Sequence, residues 1–212
     1  GFDQSRTVMA LSGNGIDHAL LMLGSFLAGV PFCPVSPAYS LVSTDYGRLE
    51  QIVRRIEPAL LFVDSFEAFR PALEALELLE LKRGAELVCS SGLSHPPDGV
   101  AGTPFSELLA TVPTAQVRRR AESVSATDVA KILFTSGSTA QPKGVVNTHG
   151  MLSSNQQMLR QCWRFLERTA PVLRSRHSAS STPASATAAV TNTRSPSTIG
   201  VAALGPGMRA VT

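Results

Sequence analysis

The residues of this chain whose types are best suited to chemistry stand close together, in residues 135–144. Glycine allows backbone bends that other residues avoid, and successive N–H groups in such a bend can hold an anion. Hydroxyl side chains add further donors, and a lysine adds a mobile positive charge. The pattern predicts a phosphate-binding loop formed by Thr135, Ser136, Gly137, Ser138, Thr139, Lys143 and Gly144.

The most familiar phosphate-binding loop, the Walker A pattern G-x-x-x-x-G-K-[ST], does not fit this segment. Counted from Gly137, Pro142 stands at the position of the second glycine, and Gly144 stands at that of the Mg²⁺-binding hydroxyl residue. Proline has no N–H and cannot contribute one to a phosphate cradle. An ordinary P-loop NTPase is therefore excluded, and the alternative interpretation is a surface turn followed by a solvated lysine.

Residues 135–145 resemble the signature T-[SG]-G-[ST]-T-G-x-P-K-G-V of adenylate-forming enzymes. That family includes acyl- and aryl-CoA synthetases, peptide-synthetase adenylation domains and luciferases. One position differs, because Ala140 replaces the usual glycine. If this residue needs a positive φ, alanine costs about 1 kcal/mol or more.

The resemblance implies the chemistry of the loop. In the family it holds the β- and γ-phosphates of ATP while a substrate carboxylate attacks the α-phosphate. Pyrophosphate leaves, an acyl-AMP forms, and in the CoA-ligase branch a thiol then displaces AMP. The resemblance thus implies ATP, Mg²⁺ and CoA, with a small carboxylic acid as substrate. It identifies no catalytic residue and no metal ligand here, since the family's catalytic lysine belongs to a C-terminal domain that we expect to be missing from this chain.

A second region of resemblance indicates the branch of the family to which the sequence is most similar. Residues 10–64 are similar to the early part of an adenylation domain, where a helix ends in Ala-Gly and leads into a strand. Residues 38–43 (AYSLVS) are most similar to feruloyl-CoA synthases, which implies a hydroxycinnamate substrate. The alternatives are another adenylate-forming enzyme, such as a fatty-acyl-CoA synthetase, and a non-catalytic pseudogene product.

Charge and cysteine content exclude several other classes. The net charge is +3, but without the four arginines of residues 169–212 the chain has 15 basic and 16 acidic residues, so no basic surface for nucleic acid is expected. Cys33, Cys89 and Cys162 form no metal-binding pattern, which favours reduced thiols in a cytoplasmic protein. The apolar residues 19–33 are too few to span a membrane and predict a buried helix.

Several short apolar segments alternate with stretches of helical periodicity and must position the loop. Strands are predicted at residues 8–11, 32–35, 59–63, 87–90, 132–134 and 145–148, and helices at residues 16–29, 65–79 and 150–168. A further helix is predicted between Thr44, its cap, and Pro58, which ends it. This alternation predicts an α/β fold with a parallel sheet flanked by helices, in which ligands bind beyond the carboxyl ends of the strands. His149, near the loop, is interpreted as a helix-capping residue in preference to a catalytic one.

The composition changes after residue 168. Residues 169–212 contain 23 Ser, Thr or Ala among 44 residues and have no acidic or aromatic side chain. Such a segment buries too little apolar surface to offset its ordering entropy. We therefore expect a partial adenylation domain at residues 1–168, incomplete at both ends, followed by a disordered or frameshifted tail at 169–212. We expect the chain as given to be inactive alone.

The frameshift hypothesis makes a prediction about the gene. Because wrong-frame translation of a GC-rich gene enriches Ser, Thr, Ala, Arg and Pro, we expect adenylation-domain sequence to reappear in another reading frame after codon 168. Translation of the underlying DNA in the other two frames measures this. The hypothesis is wrong if neither frame restores such sequence.

Overall fold

The computed structural model describes residues 3–76, 84–92, 102–135 and 141–163, together with the backbone of residues 209–211. The described strands are β1 (Val8–Leu11), β2 (Phe32–Val35), β3 (Leu60–Val63), β4 (Glu86–Cys89), β5 (Gly102–Pro104), β6 (Val129–Thr135), β7 (Lys143–Thr148) and β8 (Arg209–Val211). The described helices are α1 (Ile16–Leu27), α2 (Gly47–Ile56), α3 (Phe66–Ala75), α4 (Phe105–Ala110), α5 (Ala115–Ser123) and α6 (His149–Cys162), with a π-helical turn at Ala38–Val42.

The strands form one sheet in the order β5-β4-β3-β1-β2-β6-β7-β8. The first six run parallel to one another, which confirms the predicted α/β fold with a parallel sheet. By contrast, β7 is antiparallel to both β6 and β8. The physical reason is the short link between β6 and β7, residues 136–142, since a parallel crossover needs a dozen or more residues.

The central strands are buried on both faces, as expected for parallel strands covered by helices. On one face, Met9, Leu11 and Cys33 join a core that includes Ile52 of α2 and Phe66 of α3. On the other face, Val8, Ala10, Phe32 and Phe62 pack with Leu21 of α1. The alternation of neighbouring residues between these two clusters explains why the strands are nearly continuously apolar.

The three cysteines are unpaired, and two of them belong to this core. Burial raises the pKa of Cys33 to about 12 and that of Cys89 to about 12. These two thiols are therefore protonated packing groups, as the sequence indicated, whereas Cys162 is exposed at the end of α6.

The junction between β2 and β6 is narrow and is reinforced by a side chain. Its strand register contains a single pair, Phe32 with Lys131. Beside it, the Gln4 amide donates to Gly29 O at 2.7 Å and to Val129 O at 3.2 Å, and Gln4 Oε1 accepts from Val129 N at 2.9 Å. The Gln4 side chain thus takes the place of an additional strand pair and fixes β6 to the rest of the sheet.

Several elements differ from the sequence predictions. Residues 111–127 are polar and poorly periodic, yet they contain α5, none of whose residues is buried. β5 lies in a part of the chain where no strand was predicted. The predicted tail at 169–212 lies outside the described residues except for Arg209–Val211, where the backbone pairs with β7 instead of being free.

Alanine substitutions at two glycines of the α1–β2 region should change the free energy of unfolding in opposite directions. Gly29 has a φ of +64°, and a Cβ there would approach Val124 Cγ2 to 2.9 Å, whereas a Cβ at Gly24, inside α1, meets nothing within 4 Å. We expect Gly29→Ala to lower the free energy of unfolding by about 2 kcal/mol and Gly24→Ala to raise it by about 0.5–1 kcal/mol. Urea denaturation measures both, and equal effects of the two substitutions would contradict this packing.

Candidate phosphate-binding site

The predicted phosphate loop closes the β6–β7 hairpin. Of the seven residues predicted to bind phosphate, the structure describes Thr135, Lys143 and Gly144. The remaining four, Ser136, Gly137, Ser138 and Thr139, lie outside the described residues, as does Ala140. The three described residues stand at the two ends of the connecting loop, so the hairpin brings together parts of the signature separated in sequence.

Thr135 and Lys143 are opposite each other in the antiparallel register. Directly opposed residues have Cβ atoms about 4.5–5.5 Å apart and point to the same face of the sheet. Both residues are exposed. A hydroxyl and an ammonium group therefore stand side by side where the loop leaves the sheet, and both are available to an anion.

Gly144 has a packing role that the sequence did not reveal. It is buried and lies opposite Phe134, and a Cβ at Gly144 would be 3.4 Å from the Phe134 ring atoms Cε1 and Cζ. Phe134 in turn packs against the core cluster that contains Ile52 of α2. An aromatic ring over a cross-strand glycine pins the register of a hairpin. The packing accounts for glycine at this position independently of any ligand.

A groove of about 310 Å³ borders the loop on the side of α2. It is lined by Gln51, Ile52, Arg54, Arg55, Phe134, Gln141 and Pro142. The Arg55 guanidinium lies with Nη1 3.5 Å from the carbonyl oxygen of the buried Pro142. The end of α2 thus contacts the loop just before Lys143, a contact that helical periodicity alone could not indicate.

His149 lies away from the loop. It begins α6, at the opposite end of β7, about 17 Å along the strand from Lys143. The Thr148 hydroxyl caps the helix by accepting from Met151 N, so the prediction that the His149 side chain caps it is wrong. Its ring packs edge-on against Phe26 at 5.8 Å, and its Nε2 is buried with no hydrogen-bond partner among the described residues. The distance of His149 from the loop and its contact with Phe26 favour a packing role for this side chain.

A polar cluster at the carboxyl ends of β1 and β3 was missed in the sequence. Ser12 Oγ lies 2.7 Å from His18 Nδ1, and Asp64 Oδ2 accepts a hydrogen bond from Gly13 N at 3.0 Å. Burial lowers the pKa of His18, and the nearby Asp64 charge opposes that shift. Ser12 is only 4% exposed. These hydrogen bonds connect Ser12 and Gly13, which follow β1, to α1 and to the end of β3, and so fix the turn after β1.

The described residues contain no group of three or more His, Cys, Asp or Glu side chains that could hold a metal ion. Among the helices described, none is both long and apolar enough to cross a membrane.

Two solved structures illustrate the similarity of the fold. A red-emitting luciferase from Phrixothrix hirtus has a TM-score of 0.52 and 22% identity, over 70% of this chain and 34% of that one. McyG A-PCP in complex with phenylalanyl-adenylate has a TM-score of 0.53 and 22% identity, over 76% of this chain and 23% of that one. At these identities the comparison establishes the fold class alone.

The sequence establishes the family. A sequence model described as AMP-binding enzyme matches residues 1–202, and the chain therefore belongs to the AMP-binding enzyme family. Vanchrobactin synthetase VabF from Vibrio anguillarum is 30% identical over 138 residues, which cover 65% of this chain and 4% of VabF. Malonate–CoA ligase from Arabidopsis thaliana is 47% identical over 38 residues, which cover 18% of this chain and 6% of the ligase. The chain thus spans a small part of these relatives.

The Ser12–His18 cluster predicts a pH dependence of stability. Because the folded-state pKa of His18 is lowered, the unfolded chain binds the proton more readily, and stability falls as pH drops below about 6.5. We expect His18→Gln, which cannot be protonated, to lose less stability than the wild type between pH 7.5 and pH 5.5. Urea denaturation at both pH values measures this, and an unchanged loss in the variant would contradict it.

Proposed function

We propose that this chain is a segment of an ATP-dependent adenylate-forming ligase and that its β6–β7 loop binds the β- and γ-phosphates of ATP. The observation that carries the proposal is the register of the hairpin, in which Thr135 is opposite Lys143 at the mouth of a loop rich in Ser, Thr and Gly. Membership of the AMP-binding family supports it further.

The proposed role of each residue in the loop follows from the chemistry of its side chain or backbone. The ammonium group of Lys143 offsets negative charge on the terminal phosphates, which is strongest as pyrophosphate departs. The hydroxyls of Thr135, Ser136, Ser138 and Thr139 donate to phosphate oxygens, and the backbone at Gly137 and Gly144 lets N–H groups approach them. Mg²⁺, when bound, neutralises phosphate charge. Its protein ligands would come from outside the described residues, which offer no cluster for it.

The proposed reaction joins a small carboxylic acid to AMP and then passes the acyl group to a thiol such as CoA. An aryl acid of the hydroxycinnamate type is our first candidate, supported by the similarity of residues 38–43 to feruloyl-CoA synthases. A fatty acid is the alternative within the CoA ligases, and the short match to malonate–CoA ligase supports that branch in general. The unpaired cysteines support a cytoplasmic location, since disulfides are rare in reducing compartments.

Amino-acid activation is a second candidate. The specific observation that favours it is the similarity to VabF and to the nonribosomal peptide synthetase ivoA of Emericella nidulans, which is 27% identical over 155 residues. Pyrophosphate exchange by a full-length protein containing this segment, tested with ferulate, a fatty acid and an amino acid, separates the candidates. A non-catalytic remnant would support exchange with none of the three.

Substitution of Lys143 tests the phosphate site in the chain itself. We expect Lys143→Ala to weaken the binding of ATP and of inorganic pyrophosphate by at least about tenfold, because a charge-assisted hydrogen bond contributes about 1.5–3 kcal/mol. Isothermal titration calorimetry on the folded 212-residue chain measures both affinities.

Lys131→Ala is the matched control, because Lys131 belongs to the same hairpin but lies opposite Asn147, far from the loop. It should leave the affinity within twofold of the wild type. Equal affinity of Lys143→Ala and wild type, or an equal loss in the Lys131 variant, would remove Lys143 from the site.

A further inference from the structure

The end of helix α2 contacts the exit of the phosphate loop. Arg55, in the last turn of α2, reaches 3.5 Å from Nη1 to the carbonyl oxygen of Pro142, a residue 87 positions later in the sequence. The contact joins helix α2, which packs against the parallel strands, to the antiparallel β6–β7 hairpin. No motif in the sequence indicates it.

The position of the accepting carbonyl gives the contact its importance. The carbonyl of Pro142 and the N–H of Lys143 belong to the same planar peptide group, so fixing one fixes the orientation of the other. Proline already restricts its own φ to about −65°. A donor on the Pro142 carbonyl therefore restrains the backbone where the loop enters β7, immediately before the lysine that carries the charge.

Arg55 and Lys143 approach the loop from opposite faces of the hairpin. Gly144 packs under Phe134 on the side of α2, and neighbouring residues of a strand point to opposite faces. The Lys143 side chain consequently lies on the face away from α2. Arg55 can therefore restrain the backbone from the α2 face of the hairpin without occupying the position of an anion beside Lys143.

The neighbouring arginine provides a natural comparison. Arg54 lines the same groove, but its guanidinium pairs with Glu50 at 2.8 Å on the exposed side of α2. The two arginines therefore share a helix turn, a charge and a groove, and differ in the contact with Pro142.

We propose that Arg55 is a positioning residue for the phosphate site, which restrains the Pro142–Lys143 peptide so that Lys143 is directed at the bound phosphate. The inference rests on the proposed phosphate-binding function of the loop. It adds that Arg55 acts through Lys143 and not by direct contact with the ligand.

The test uses the full chain with inorganic pyrophosphate as the probe, measured by calorimetry. We expect Arg55→Met to weaken binding by about fivefold, in keeping with the loss of one long hydrogen bond of ordinary strength. Arg55→Lys, which retains a donor, should restore part of the affinity, and Arg54→Met should remain within twofold of the wild type. An unchanged affinity in Arg55→Met, or the same loss in Arg54→Met, overturns the proposal.

A double-mutant cycle separates positioning from a direct charge effect. If Arg55 acts through Lys143, Arg55→Met should weaken pyrophosphate binding very little in a chain that already carries Lys143→Ala. Additive losses would show that Arg55 attracts the anion independently and would overturn the positioning role.

Amide hydrogen exchange of the ligand-free chain provides a readout that does not depend on binding. The Lys143 and Gly144 amides should exchange faster in Arg55→Met than in the wild type and in Arg54→Met. A wild type that fails to bind pyrophosphate contradicts the proposed function, and hydrogen exchange then decides about Arg55 separately. Unchanged exchange in Arg55→Met overturns the restraint itself.

Discussion

The candidate site depends on one constraint, the antiparallel pairing of β6 with β7 across a short loop. Residues 136–142 are too few to cross the sheet, so β7 must return alongside β6. The pairing register then sets Thr135 opposite Lys143 and Phe134 opposite Gly144. A shift of one residue would exchange the two faces of β7. It would move Lys143 toward α2 and Gly144 away from the Phe134 ring.

The rest of the fold supports this hairpin. Ile132 and Phe134 attach one face of β6 to the core beneath α2, and Gln4 ties the start of β6 to the end of α1. Arg55 adds a contact at the far end of the loop. The ends of the hairpin loop are thus held by a rigid sheet, as a loop that must present several donors to one anion requires.

The sequence predicted the parts of this structure whose signals are local. The strands around Met9, Cys33 and Leu61 are apolar because both of their faces are buried, and the helix before Gly29 has a clear periodicity and a glycine stop. Helix α5 has no buried residue, so hydrophobic periodicity could not reveal it. In the same way, the strand bounds of the hairpin extend to Thr135 and Lys143 because pairing with a neighbour, not hydrophobicity, determines them.

The site was predictable in composition but not in geometry. Hydroxyls, glycine and lysine at fixed spacing indicated phosphate chemistry before any fold was known. The contact of Arg55 with Pro142 and that of Ser12 with His18 depend on how distant elements or turns pack, which a spacing pattern does not contain. Closeness in sequence can also mislead. His149 is only a few residues from the loop in sequence, but the length of β7 separates the two in the fold.

Binding of phosphate at the mouth of the β6–β7 hairpin is tested most directly by amide NMR of the full chain titrated with pyrophosphate. The Thr135, Lys143 and Gly144 amides should shift in a saturable way, while that of Gly29, which lies near the start of β6 at the end of that strand away from the loop, should not. Saturable shifts confined to other parts of the sheet, or no shift at these three residues in the folded chain, would contradict it.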